Sequence, residues 1–183
     1  AISESSDPTW RSARLCKYGG CLEFDGVDDY VKIPHDNNLS LTNLTIEYWV
    51  KHNGSSDIQR LISKGGYLTS ASNQYMTGIA SSATGYKHHF FTGSPTDSSV
   101  RSDSSVPVGE WVHLAVTKNG NEVRFYMNGK LDGVKTLGDG NSNTGPLEIG
   151  RQYSERFFNG LIDDIRIYNY ARTQKQIIED MNA

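Results

Sequence analysis

GEWVHLAVTKNGNEVRFYMNGKLDG, residues 109–133, holds two Asn-Gly pairs, Asn119-Gly120 and Asn128-Gly129, set among runs of β-forming residues. Asn and Gly tolerate the positive φ angles that a two-residue hairpin needs, so each pair predicts a tight turn between antiparallel strands. Strand following strand in this way argues for an all-β fold over an alternating βαβ one.

The same pattern extends in both directions. YVKIP and LTIEYWVKH come first, then RLISKGG, NQYMTGIA and YKHHFFTG, and after the hairpins LEIGRQY and FNGLIDDIRIYNYA. Segments that alternate inward apolar and outward polar residues predict two packed antiparallel sheets. Thr173 and Gln176 have the Thr-x-x-Gln spacing of a capping box, which predicts a short helix at the end of the chain. The Ser-rich stretch 92–110 reads as one long surface loop, and no repeat of fixed period is present. With 183 residues the chain is expected to form one domain over 1–183, with 1–20 as an N-terminal extension.

Eighteen Lys and Arg stand against 21 Asp and Glu, with no long block of one sign. This composition argues against a nucleic-acid partner, and no apolar run is long enough for membrane insertion. The two cysteines, Cys16 and Cys21, flank a Gly-Gly pair and have too few neighbouring ligands for zinc. A disulfide between them is expected, which points to an oxidising compartment.

Taken in order, CLEFDGVDDYVKIP, LTIEYWVK, the 109–133 hairpins and LEIGRQYSERFFNGLIDDIRIYNYARTQKQI resemble landmarks of the concanavalin A-like, laminin-G-like jelly-roll family. The resemblance implies a two-sheet jelly-roll sandwich. It also implies a choice among lectin-like, adhesive and sugar-binding functions. Jelly-roll β-glucanases of that wider family use an E-x-D-x-x-E strand, which Glu23, Asp25 and Asp28 imitate. Here the last Glu is an Asp and Gly26 interrupts the row, so catalysis is not expected.

Two readings of the opening aspartates remain. Calcium accepts carboxylates and carbonyls together, and similarity to the glucanases, which use an Asp of a terminal strand, implies a structural Ca2+ held by Asp25, Gly26, Asp28 and Asp163. Alternatively Asp25, Asp28 and Asp29 serve only the turn.

For a ligand, Tyr86 and His88 share one face of the YKHHFF strand, where an aromatic ring and an imidazole would meet the apolar face and hydroxyl rim of a sugar. Tyr67, Tyr75 and Tyr153 lie in or beside loops that flank the same sheet, and Arg151 stands at a strand end beside glycine. Trp49 and Trp111 are expected in the core. The sequence thus predicts a non-catalytic, extracellular or cell-surface binding module, part of a larger secreted protein. The expected partner is a glycan or polysaccharide bound at the concave sheet or rim loops. A cell-surface or matrix protein is the alternative partner, and a glycoside hydrolase the third reading.

Overall fold

In a computed structural model the described residues are 6–65, 73–93 and 98–183. They form β1 (Thr9–Ser12), β2 (Gly20–Asp25), β3 (Val31–Ile33), β4 (Leu44–His52), β5 (Gln59–Lys64), β6 (Tyr75–Ser82) and β7 (Gly85–Thr92). After these come β8 (Ser98–Arg101), β9 (Val112–Asn119), β10 (Glu122–Met127), β11 (Lys130–Thr136), β12 (Leu147–Ile149), β13 (Asn159–Tyr168) and the helix α1 (Gln174–Met181). The strands make a seven-stranded sheet, β1-β2-β13-β4-β9-β10-β11, and a six-stranded sheet, β3-β12-β5-β6-β7-β8. All the pairings are antiparallel, as expected for a jelly-roll sandwich.

Alternation decides what lies between the sheets. On β4, Leu44, Ile46, Tyr48 and Val50 point inward and meet Ile79, Phe90, Leu114, Val116 and Phe125 in one core. The intervening Thr45, Glu47 and Trp49 are also buried, because the outer face of the seven-stranded sheet has its own cover. Ile177 of α1 packs with Ala115 and Tyr126 there. The segment around the Cys16–Cys21 disulfide covers the rest, with Lys17 Nζ 3.9 Å from the centre of the Trp49 ring and the Trp111 indole donating to the Leu15 carbonyl at 3.1 Å. Trp49 and Trp111 are therefore covered by these flanking segments and do not join the core between the sheets.

Both hairpins form. Asn128 (φ 49°) and Gly129 (φ 74°) are the two turn residues between β10 and β11, and Gly120 (φ 54°) leads the turn between β9 and β10. The helix cap also forms, since Thr173 accepts from the Gln176 backbone and the Gln176 side chain accepts from the Thr173 N–H. The Ser-rich stretch departs from expectation. It contains β8, which pairs with β7 through His89 opposite Arg101 and Phe91 opposite Ser99.

Candidate ligand-binding recess

Strand β7 alternates as expected, but its two faces have the opposite roles. His88 lies in the core, with Nε2 2.9 Å from the Tyr48 hydroxyl and 2.8 Å from the Thr77 hydroxyl. Burial, aided by His113, pushes it down to about 3, so the ring is neutral and closed off from any ligand. Tyr75 is buried too and donates to the Leu39 carbonyl at 2.9 Å. The Tyr86 ring packs edge-on to His52 at 4.9 Å, and its hydroxyl accepts from the Ser55 N–H. His88 and Tyr75 are corrections to the sequence-based site, since each is buried as a packing residue of the sandwich, while Tyr86 is half-buried beside His52 and lies apart from the hollow lined by His89 and Phe91. Tyr67 lies outside the described residues.

The outward set is His89 and Phe91. His89 stands in a straight row across four strands, with Arg60 opposite Gly78, Gly78 opposite His89, and His89 opposite Arg101. Gly78 presents no side chain, and the Arg60 guanidinium reaches over it to donate to His89 Nδ1 at 2.8 Å. A guanidinium only donates, so the His89 proton is carried on Nε2. Burial, together with Arg60 and Arg101, drives this histidine well below its ordinary range and keeps it neutral.

One wall of the recess comes from the connection after β12. Gln152 and Glu155 exchange backbone hydrogen bonds around a two-residue turn, with Tyr153 at φ 57°. The Arg60 N–H donates to the Arg156 carbonyl, which fastens the turn to β5. Gln152 Oε1 then accepts from Arg60 Nε at 3.1 Å and from Arg156 Nη1 at 3.3 Å. With Met76, Phe91 and Ser99 these groups line a hollow of about 230 Å³ on the outward face of the six-stranded sheet. A second hollow beside α1 has its charges paired internally, Arg124 with Glu122 and Arg172 with Asp180, and offers a ligand less.

Arg151 and Tyr153 do not join the recess. They lie in a separate hollow with Lys32 and Glu148, where Arg151 pairs with Glu148 at 2.8 Å and stacks 3.2 Å from the centre of the Tyr30 ring.

The opening aspartates are brought together only in part. Carboxylate oxygens of Asp25, Asp28 and Asp29 lie within 4.8 Å of one another, in a turn made possible by Gly26 at φ 81°. Asp25 accepts from the Val27 N–H, and Asp29 from the Asp25 N–H. Burial, followed by the charges of Asp25, Asp28 and Asp7, outweighs that last bond and raises the Asp29 carboxyl above its usual range. Asp163 is elsewhere. It accepts from the N–H groups of Lys17 and Tyr18 at 3.0 and 2.8 Å, four positions along β13 from Asn159, the partner of Asp25. At ~3.3 Å per residue that is roughly 13 Å, too far to share one ion. Glu23 is engaged by Arg11 of the neighbouring strand.

The side chains of this candidate recess that sequence reasoning did not place in a site are Arg60, His89, Phe91, Arg101, Gln152 and Arg156. The adjacent Phe90 and Phe91 make either phase of β7 plausible, and only the positions of Arg60 and Arg101 on flanking strands decide it.

A family model described as the concanavalin A-like lectin/glucanases superfamily matches residues 25–178. Pappalysin-1 of Mus musculus is 27% identical over 179 residues, covering 88% of this chain and 11% of that protein. Adhesion G-protein coupled receptor V1 of Danio rerio is 29% identical over 146 residues, covering 76% of this chain and 2% of the receptor. The chain thus spans about a tenth or less of the length of these curated relatives. Among solved structures, domain 4 of AbnA, a GH43 extracellular arabinanase from Geobacillus stearothermophilus in complex with arabinotriose, superposes with a TM-score of 0.76 at 19% identity. It covers 97% of this chain and 82% of that one, and the likeness is one of fold alone.

Proposed function

The chain belongs to the concanavalin A-like lectin/glucanase superfamily, and from that premise we propose that it is a single-domain, non-catalytic carbohydrate-binding module. The observation that carries this reading is the row Arg60–Gly78–His89–Arg101 beside Phe91 in an outward recess. A sugar needs an apolar surface for its C–H face and fixed donors for its hydroxyls, and the row supplies both on a rigid sheet. Among the described residues, those lining the recess include no carboxylate to act as acid or nucleophile, which supports binding over hydrolysis. The arabinotriose bound by the similar AbnA domain is consistent with such a role.

An extracellular or cell-surface setting is supported by the disulfide and by the adhesion receptor among the relatives. Within the described residues no helix is long and apolar enough to cross a membrane. Calcium remains part of the proposal, centred on Asp25, Asp28 and Asp29 without Asp163. Three oxygens and the carbonyls of a glycine turn are a partial shell for an ion that takes six to eight.

A glycan array tests the reading. Signal that disappears in Phe91→Ala supports it. A blank array, with capture of a matrix or cell-surface protein instead, would replace it with the adhesion function.

A further inference from the structure

Building on the recess as a sugar site, we infer that its ligand is an acidic glycan, a sugar whose carboxylate or sulfate is held among Arg60, Arg101 and Arg156. The three guanidiniums reach one hollow from β5, from β8 and from the turn after β12. Arg60 is 1% exposed, and its hydrogen bonds go to two neutral acceptors, the Gln152 amide oxygen and His89 Nδ1. Arg156 donates to the same amide oxygen, so two like charges share one uncharged atom.

Apart from the exposed Arg14, the other arginines are handled differently. Arg11, Arg124, Arg151, Arg166 and Arg172 each face a carboxylate. Among the described residues no carboxylate pairs with Arg60, Arg101 or Arg156. Asp57 is exposed, and its charge is outweighed at Arg60 by burial and by Arg156, which together draw that guanidinium down to about 9. A buried cation without a counter-ion is costly, and removing the cost by binding an anion adds to affinity. Guanidinium forks also match the paired oxygens of a carboxylate or sulfate. A flat cationic surface would take any polyanion. Here the charges lie in a walled hollow beside Phe91, whose exposed edge gives the remainder of a sugar ring an apolar contact.

The test is an array of matched glycans in neutral, uronate or sialylated, and sulfated forms, with soluble polyglutamate as a non-sugar polyanion competitor. Acidic members should bind roughly ten-fold or more above their neutral partners, because hydrogen bonds to charged groups are the strong ones. The carboxylated and sulfated arms identify the source of the anion. Arg101→Gln, at an exposed position on β8, should remove that preference, and Arg156→Gln should weaken it. Equal binding of neutral and acidic forms would overturn the acidic-ligand inference while leaving the carbohydrate reading intact. Acidic binding unchanged in both variants would overturn the assigned position. Failure of every glycan to bind would overturn both, as would full competition by polyglutamate at equal charge.

Discussion

At the scale of single residues, Gly78 and Glu47 carry opposite lessons. A Cβ at Gly78 would lie 2.1 Å from the Gln59 carbonyl oxygen, on the row that Arg60 must cross to reach His89. Gly78→Ala is therefore expected to cost about 1–3 kcal/mol in denaturant unfolding, as overpacking does, and to disturb the recess as well. Glu47 is buried on the covered face, with neither carboxyl oxygen meeting a donor. Burial first, and Asp180 after it, push its pKa from 4.5 up to about 9. His113, 3.9 Å away, is lowered to about 4, so at neutral pH the pair is uncharged. The native state then holds a proton that the unfolded chain releases near pH 4.5, whereas buried His88, His89 and His113 are neutral in the native state and take up protons on unfolding below about 6.5. The histidines oppose Glu47 in the acid range, so stability should fall as pH rises between about 6.5 and 9. Glu47→Gln should flatten that slope and be the more stable form at pH 8. An unchanged slope in urea melts across this range would refute the assignment.

At the scale of elements, the turn after β2 and the cap of α1 can each be tested alone. If the turn holds calcium, chelation should lower the melting temperature and Asp29→Asn should abolish the response. Asp163→Ala should leave the calcium response intact, since that carboxylate serves Lys17 and Tyr18. Insensitivity of the wild type to chelation would leave the aspartates with turn chemistry only. Thr173→Ala should cost about 1 kcal/mol, the usual value of an N-cap, read from the thermal unfolding midpoint. The hairpins and this cap were legible because their signals are local: Asn-Gly at 128–129 and Thr-x-x-Gln at 173–176 need no partner to be recognised. Strand β8 was not, because Ser-Ser-Val-Arg has too short an alternation to stand out in a Ser-rich stretch. Losing β8 from the reading also lost Arg101. The His88 assignment failed for a related reason: period two fixes which residues share a face but not which face is inside.

At the scale of the whole molecule, the two outward faces have different fates. α1 and the disulfide-closed segment cover much of the seven-stranded sheet, while among the described residues no such element covers the recess on the six-stranded sheet. Family landmarks made the sandwich legible, yet this asymmetry depends on contacts between Asp163 and residues 146 positions away, which no local pattern encodes. Because hydrogen bonds and ring packing also fix residues 15–18, reducing the Cys16–Cys21 bond should cost about 2 kcal/mol or less and leave the far-UV circular dichroism of the sandwich unchanged. Cooperative unfolding on adding reductant alone would contradict this. Strand β13 sits in the interior of its sheet, between β2 and β4, although it is the last of the described strands in sequence. During synthesis the early strands must therefore wait, their inner edges unpaired, until the residues near 168 have left the ribosome. Such non-local closure belongs to slow-folding topologies and leaves the nascent chain dependent on protection until that moment.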